Sequence, residues 1–185
     1  HNISKHFLTN LTFALVYSEP PVGYSRIAVR NDAPLLLSVL NKAVDSITDG
    51  DRREIEMRWL GIELPRFSPA EPVQVPSFSE QELEWLRAHP VLRVAADANW
   101  APIEFADEPG QFQGIAVDYM REIADILGVR LEFVPGSTWQ ELQELAVAGE
   151  VDVFSAMAYT EGRAERFAFT EPYLTLPVMV FARDE

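Results

Sequence analysis

A chain of 185 residues with 48% hydrophobic content can bury one substantial core or two small ones. A formal net charge of −14 argues against a nucleic-acid partner, because phosphate binding depends on clustered Lys and Arg, and the lack of cysteine excludes disulfides and thiol chemistry. No apolar run is long enough to cross a bilayer.

Two short extended runs come first, in residues 7–14 and 25–34, the second holding a strand over 27–30. Leu36, Val39, Leu40, Ala43, Val44 and Ile47 then form one apolar stripe, which predicts a helix. A second helix is expected to open on Asp51 as N-cap with Glu54 three residues on. Ile55, Trp59 and Leu60 give it an apolar face and Gly61 closes it. Residues 62–78 carry Pro65, Pro69, Pro72 and Pro76 with few apolar anchors, the composition of an extended linker and a domain boundary. Ser79 and Glu82 form a capping box for a short helix holding Leu83, Trp85 and Leu86, which ends before Pro90.

From Val91 the pattern alternates between strand and helix. A strand opens at Val91 with Asp97 at its end, and a loop with Trp100 and Pro102 follows. Ile115, Tyr119, Met120, Ile123, Ile126 and Leu127 recur at helical spacing up to Gly128. Residues 129–134 read as a strand, 139–148 as a helix with Leu142, Leu145 and Ala146 on one stripe, 151–154 as a strand, and 174–182 as a last extended run. Strands alternating with helices through short links predict an α/β fold, with an open, mainly parallel sheet flanked by helices and a helical N-terminal segment before it.

The strand at 151–154 is expected to deliver Ser155, Ala158 and Thr160 to its carboxyl end, where open α/β sheets place their ligands, with Arg163 close behind. A guanidinium is a planar fork of donors that matches a carboxylate bidentately, so an arginine beside hydroxyls and free backbone N–H groups suits a small anion. Taken alone, Arg163 reads equally well as a solvated residue in a surface turn. The order of flanking residues adds weight: Thr160 and Arg163, then Phe169-Thr170 and Pro172-Tyr173, resemble the most recognisable segment of the type-2 periplasmic solute-binding proteins, the flytrap family that binds polar amino acids. In that family the arginine clamps the ligand's α-carboxylate, and the resemblance implies the same for Arg163. Residues 91–105 look like the family's first strand and the loop after it. That implies Trp100 as a pocket wall, with Asp97 at the strand end, although Trp100 also reads as a half-buried packing residue. The family usually has Pro-Phe where this chain has Pro102-Ile103; either Phe105 supplies the missing ring or the wall is thinner here.

The resemblance also sets expectations for domain organisation. Residues 1–61 resemble the C-terminal part of a first flytrap domain, where the chain crosses back between lobes. Residues 62–78 resemble the linker between tandem domains of bacterial membrane sensors, and residues 79–185 the first lobe of a second domain, with 178–182 leading through a hinge towards a second lobe. The chain is then expected to open midway through one domain and to end before the second lobe of the next. With part of its own lobe missing, the second region is expected to receive residues 24–60 against the sheet of 91–182; the competing arrangement is a segment-exchanged homodimer in which each chain completes the other.

Function follows as an expectation: an extracytoplasmic, periplasmic ligand-sensing fragment of a membrane-anchored sensor, binding an amino acid or similar small carboxylate and needing no cofactor. The alternatives are the solute-binding receptor of an amino-acid transporter and the non-catalytic flytrap part of a lytic transglycosylase. From Val91 onward six basic residues face seventeen acidic ones, a field that disfavours dianions and tolerates zwitterions or cations. Enzymatic readings find little support. His1, His6 and His89 have no metal-site spacing, Ser155 has no histidine near it in sequence, and Asp118 and Glu122 read as the solvated face of a helix.

Overall fold

The computed structural model describes residues 23–61, 76–107, 110–134 and 138–175, and the backbone of residues 11–17 and 178–183. The linker expected at 62–78 lies outside the described residues up to position 75.

The region after residue 90 forms the expected α/β unit. Strand β3 (Val91–Ala95) is followed by helix α4 (Ile115–Leu127), β7 (Arg130–Val134), α5 (Trp139–Val147) and β8 (Val153–Met157). β3 lies in the middle and pairs in parallel with β7 on one side and β8 on the other, as helical crossovers require. An ion pair fixes the β3–β8 register: the Arg93 guanidinium donates to both oxygens of Asp152 at 3.0 and 2.6 Å, while the Arg93 N–H donates to Asp152 Oδ2 at 2.8 Å. The predicted helical stripe is the buried face of α4, which Gly128 closes in the left-handed conformation at φ +69°.

The N-terminal segment completes this sheet. β2 (Tyr24–Arg30) lies antiparallel beside β8, with Arg26 opposite Met157 and Val29 opposite Val153. Its other edge is taken by β9 (Phe167–Phe169) and β10 (Leu174–Thr175), so it is an interior strand. Ile27 and Val29 face a core with α1 (Pro34–Ser46), α2 (Asp49–Leu60) and α4. Ala28 faces a second core on the other side of the sheet with Leu142, Ala146, Phe154 and Phe167. Residues 24–60 therefore dock on the sheet of the second region as expected.

Polar contacts seal the same joint. Asp118 of α4, expected on a solvated face, is 7% exposed and accepts from Arg58 Nη1 at 2.9 Å, Trp59 Nε1 at 2.8 Å and Arg121 Nη1 at 2.8 Å. The correction has a simple cause: α2 covers the flank of α4 that the helical stripe alone leaves open. Glu122, one turn on, is half-buried, and burial raises its carboxyl above the usual range. The cap of α2 also differs. Thr48, not Asp51, is the N-cap, and its hydroxyl accepts from the Asp51 N–H at 3.1 Å while the Asp51 carboxylate accepts from the Thr48 N–H at 3.1 Å, so the capping box begins three residues earlier.

Helix α3 (Glu80–Ala88) carries the Ser79–Glu82 box as predicted, and Glu82 also accepts from Ser38 Oγ and Lys42 Nζ of α1, both at 2.7 Å. These donors, led by the Lys42 ammonium, hold the Glu82 carboxyl well down, at about 2 against an ordinary 4.5. A depressed acid binds its proton less well in the folded chain than in the unfolded one. Its stabilisation is full above pH 4.5 and disappears as pH falls toward 2. Glu82→Gln should flatten that acid limb of a stability-against-pH curve measured by urea unfolding; an unchanged limb would remove Glu82 as its source.

Two further strands, β1 (Leu11–Tyr17) and β11 (Val178–Arg183), pair antiparallel in a separate two-stranded ribbon, with Tyr17 opposite Val178 and Leu11 opposite Arg183.

Candidate ligand-binding site

The loops that follow β3 and β8 leave neighbouring parallel strands at their carboxyl ends, so both emerge at one sheet edge. After β8 comes Ala158, exposed, and then Thr160, whose side chain caps the short helix α6 (Glu161–Ala164) by accepting from the Arg163 N–H at 3.3 Å. Arg163 turns back over its own loop. Its Nη1 donates to the Ala158 carbonyl at 2.8 Å, and its guanidinium carbon sits 5.6 Å from the centre of the Trp139 ring, on the helix that precedes β8. The side chain is half-buried, and among the described residues no carboxylate pairs with it. Ala158, Thr160 and Arg163 thus form one constellation, with Trp139 as a support that the sequence reading left as a plain helix residue.

After β3 the chain builds a three-stranded sheet where a loop was expected: β4 (Asn99–Trp100), β5 (Glu104–Ala106) and β6 (Phe112–Gln113). Gly114 makes this possible. At φ +128°, a Cβ there would fall 2.5 Å from the Ile103 carbonyl oxygen, so only glycine lets the first turn of α4 approach. That turn then donates from the Ile115 and Ala116 N–H groups to the Pro102 and Ile103 carbonyls at 3.0 and 2.8 Å. Trp100 is 39% exposed. Asp97 is half-buried, and its carboxylate accepts from the Asn99 N–H at 2.8 Å.

Phe105 does not join Trp100. Trp100 pairs with Glu104 and Asn99 with Phe105, and side chains alternate along a strand, so Phe105 points to the opposite face. There it packs edge-on against Trp59 of α2, with ring centres 5.7 Å apart. Ser155 is also displaced from the expected position. β8 runs on to Met157, which puts Ser155 inside the strand at 0% exposure rather than past its carboxyl end. Its hydroxyl lies 3.1 Å from the Ala95 carbonyl and is hydrogen-bonded to Glu104 Oε2, and its carbonyl accepts from Tyr173 Oη at 2.7 Å.

Glu104 is the group that sequence reasoning missed. It is fully enclosed, accepts from the Asp97 N–H at 2.8 Å through Oε1 and from Ser155 through Oε2, and burial raises its carboxyl to about 7. A lone acid between Ile103 and Phe105 in an otherwise apolar run was the available signal. An open groove of about 390 Å³, between Arg26, Asn31, Tyr159 and Phe169, touches the connection after β8 through Tyr159 and Ala164 and includes neither Arg163 nor Trp100.

A mainly parallel α/β lobe, with an arginine after β8 that pairs with no carboxylate among the described residues, has the architecture of a small-solute-binding domain. The chain belongs to the bacterial extracellular solute-binding proteins, family 3, whose model matches residues 92–185. It is 28% identical over 178 residues to the sensor protein EvgS of Escherichia coli (strain K12), covering 95% of this chain and 14% of that protein. It is 25% identical over 168 residues to the virulence sensor protein BvgS of Bordetella bronchiseptica, covering 88% and 13%. A probable histidine-binding protein of Neisseria gonorrhoeae is 32% identical over 91 residues, covering 49% of this chain and 34% of that one. The chain therefore spans about one seventh of the length of the sensor relatives.

Proposed function

We propose that this chain is the ligand-binding part of a periplasmic sensor region, in which Arg163 clamps the carboxylate of an amino acid or similar small acid and Trp100 forms one wall. The observation that carries this reading is the half-buried Arg163 guanidinium, braced by the Ala158 carbonyl and the Trp139 ring and left without a carboxylate partner among the described residues. A cation held this way keeps donors free for an incoming anion. Asp97, two residues past the end of β3, is a further candidate ligand contact, and the acid that pairs with a ligand's ammonium group is assigned to the second lobe.

Tandem organisation is part of the proposal. Residues 1–61 are read as the closing segment of one flytrap domain, 62–78 as the linker, and 79–185 as the first lobe of the next, with the β1–β11 ribbon as the hinge towards a second lobe. Support comes from the sensor relatives, whose similarity runs through both regions and across the linker, whereas that of the histidine-binding relative covers half of the chain. This favours sensing by a membrane-anchored parent over transport. Closure of a complete two-lobed domain on its ligand would shift the population that the parent transmits.

Calorimetric titration of amino acids against a protein carrying this lobe together with its second lobe tests the reading. Arg163→Ala should weaken binding by about 2 to 5 kcal/mol, thirtyfold or more, since it removes a charge-assisted contact to the ligand. Unchanged affinity would take Arg163 out of the site, and a preference for a dicarboxylate over neutral amino acids would overturn the argument from the acidic field.

A further inference from the structure

We infer that Glu104 is a positioning residue for the ligand edge, because its enclosed carboxylate joins the Asp97 amide at the end of β3 to the Ser155 hydroxyl inside β8 and so sets the Trp100 strand against the loop that carries Arg163. The inference rests on the proposed ligand site, since it names the group that holds its two halves in place.

The geometry is specific. Oε1 of Glu104 accepts from the Asp97 N–H, two residues after β3 ends, and Oε2 meets the hydroxyl of Ser155 in the neighbouring strand. Trp100 is directly opposite Glu104 in the β4–β5 pair, and paired residues share a face, so the exposed indole stands on the side of the buried acid. An apolar residue at position 104 would fill the space at no desolvation cost. It would leave the Asp97 amide and the Ser155 hydroxyl without this acceptor.

Ser155 has one proton and two acceptors within reach, the Ala95 carbonyl and Glu104. With Glu104 ionised, Ser155 donates to the carboxylate. When Glu104 takes a proton from solvent, its own Oε2–H donates to Ser155 Oγ, and the Ser155 hydroxyl turns to the Ala95 carbonyl, the last residue of β3. The exchange reverses the hydrogen bond between Glu104 of β5 and Ser155 of β8.

Enclosure, and then the neighbouring charge, make protonation accessible. Asp97 lies on one side. Tyr173, fully buried, donates to the Ser155 carbonyl and stands edge-on to Tyr119 of α4, with ring centres 5.0 Å apart. Glu56 of α2 lies 3.4 Å from the Tyr119 hydroxyl. The nearest cation in this set, Arg52, sits over the Tyr119 ring and donates to the Tyr173 carbonyl, not to Glu104. Among the described residues no cation pairs with Glu104, and burial with the neighbouring Asp97 charge lifts its carboxyl to about 7.

The test is an NMR pH titration of the full chain with no ligand present, following the Glu104 side-chain carboxyl carbon, the Asp97 amide and the Trp100 indole N–H between pH 5 and 9. The expected result is one step shared by all three signals, with a midpoint of about 7. In Glu104→Gln the Asp97 and Trp100 steps should vanish. In Ser155→Ala, which keeps the carboxylate but removes a donor to it, the shared midpoint should move upward. Glu104 titrating while Asp97 and Trp100 stay flat, or steps persisting in Glu104→Gln, would overturn the inference; if that variant fails to fold, a Ser155→Ala midpoint that does not rise would do the same. A purely structural Glu104 would lower the melting temperature on substitution and leave the indole without a step. Because no ligand enters the measurement, failure of amino-acid binding and failure of this role are read separately.

Discussion

A chain shortened to residues 76–185 should lose its cooperative unfolding transition and associate, although it keeps the whole strand–helix pattern of the α/β unit. The missing piece includes β2, which fills the space between β8 on one side and β9 and β10 on the other. Without it those edges present unpaired N–H and C=O groups, a template for intermolecular pairing. Ile27, Val29, Leu36, Val39, Leu40, Ala43, Val44, Ile47 and Ile55 would leave the core with it. Full burial of a Val, Leu or Ile contributes about 1.5–3 kcal/mol, so the eight branched side chains among them amount to about 12–24 kcal/mol, comparable with or above the roughly 5–15 kcal/mol by which whole domains are stable. Urea unfolding followed by tryptophan fluorescence, with sedimentation to read association, checks this. A sharp two-state transition from a monomeric 76–185 fragment would show that β2 is dispensable.

Asp118→Ala should cost about 3 kcal/mol. The carboxylate is buried and accepts three hydrogen bonds, from Arg58 and Trp59 of α2 and from Arg121 of its own helix. Removing it leaves the Trp59 N–H and two guanidinium groups without their shared acceptor. Both arginines are half exposed and regain water, which keeps the cost below that of a wholly buried triad. For a chain of this length the loss corresponds to a fall in melting temperature of about 6–12 °C. Asp118→Asn keeps an acceptor for Trp59 and should recover part of it. A loss below about 0.5 kcal/mol, the range of ordinary surface changes, would mean that α2 is held by its apolar face alone.

Much of the architecture was legible because it depends on local rules. The stripe from Ile115 to Leu127 with Gly128 behind it, the stripe from Leu36 to Ile47, and the Ser79–Glu82 box each specify an element from neighbouring residues, and each is present. Boundaries and faces that depend on distant partners were harder. β8 is buried at all five positions and shows no alternation to mark where it ends, so the sequence places Ser155 at its carboxyl end rather than inside it. Asp118 lies beside the apolar stripe, and only the arrival of α2 from earlier in the chain turns that flank inward. Phe105 is the nearest candidate for the ring that Ile103 lacks, whereas strand alternation sends it to Trp59. Of the candidate site, the Thr160–Arg163 turn and Trp100 were readable from residue type and order. Glu104 was not, because its importance comes from complete enclosure, which a sequence does not display.

The position of β2 also governs when the sheet can be finished. The Ile27 amide donates to the Thr170 hydroxyl across 143 residues, and every pairing of β2 is with a strand that follows residue 150. During synthesis the early strand must wait with its edges unpaired until almost the whole of this stretch has emerged from the ribosome, although the two helices after it meet α3 and α4 sooner. Such high contact order makes assembly slow and leaves sticky intermediates, so the yield of native protein should depend on what shields residues 24–60 during that interval.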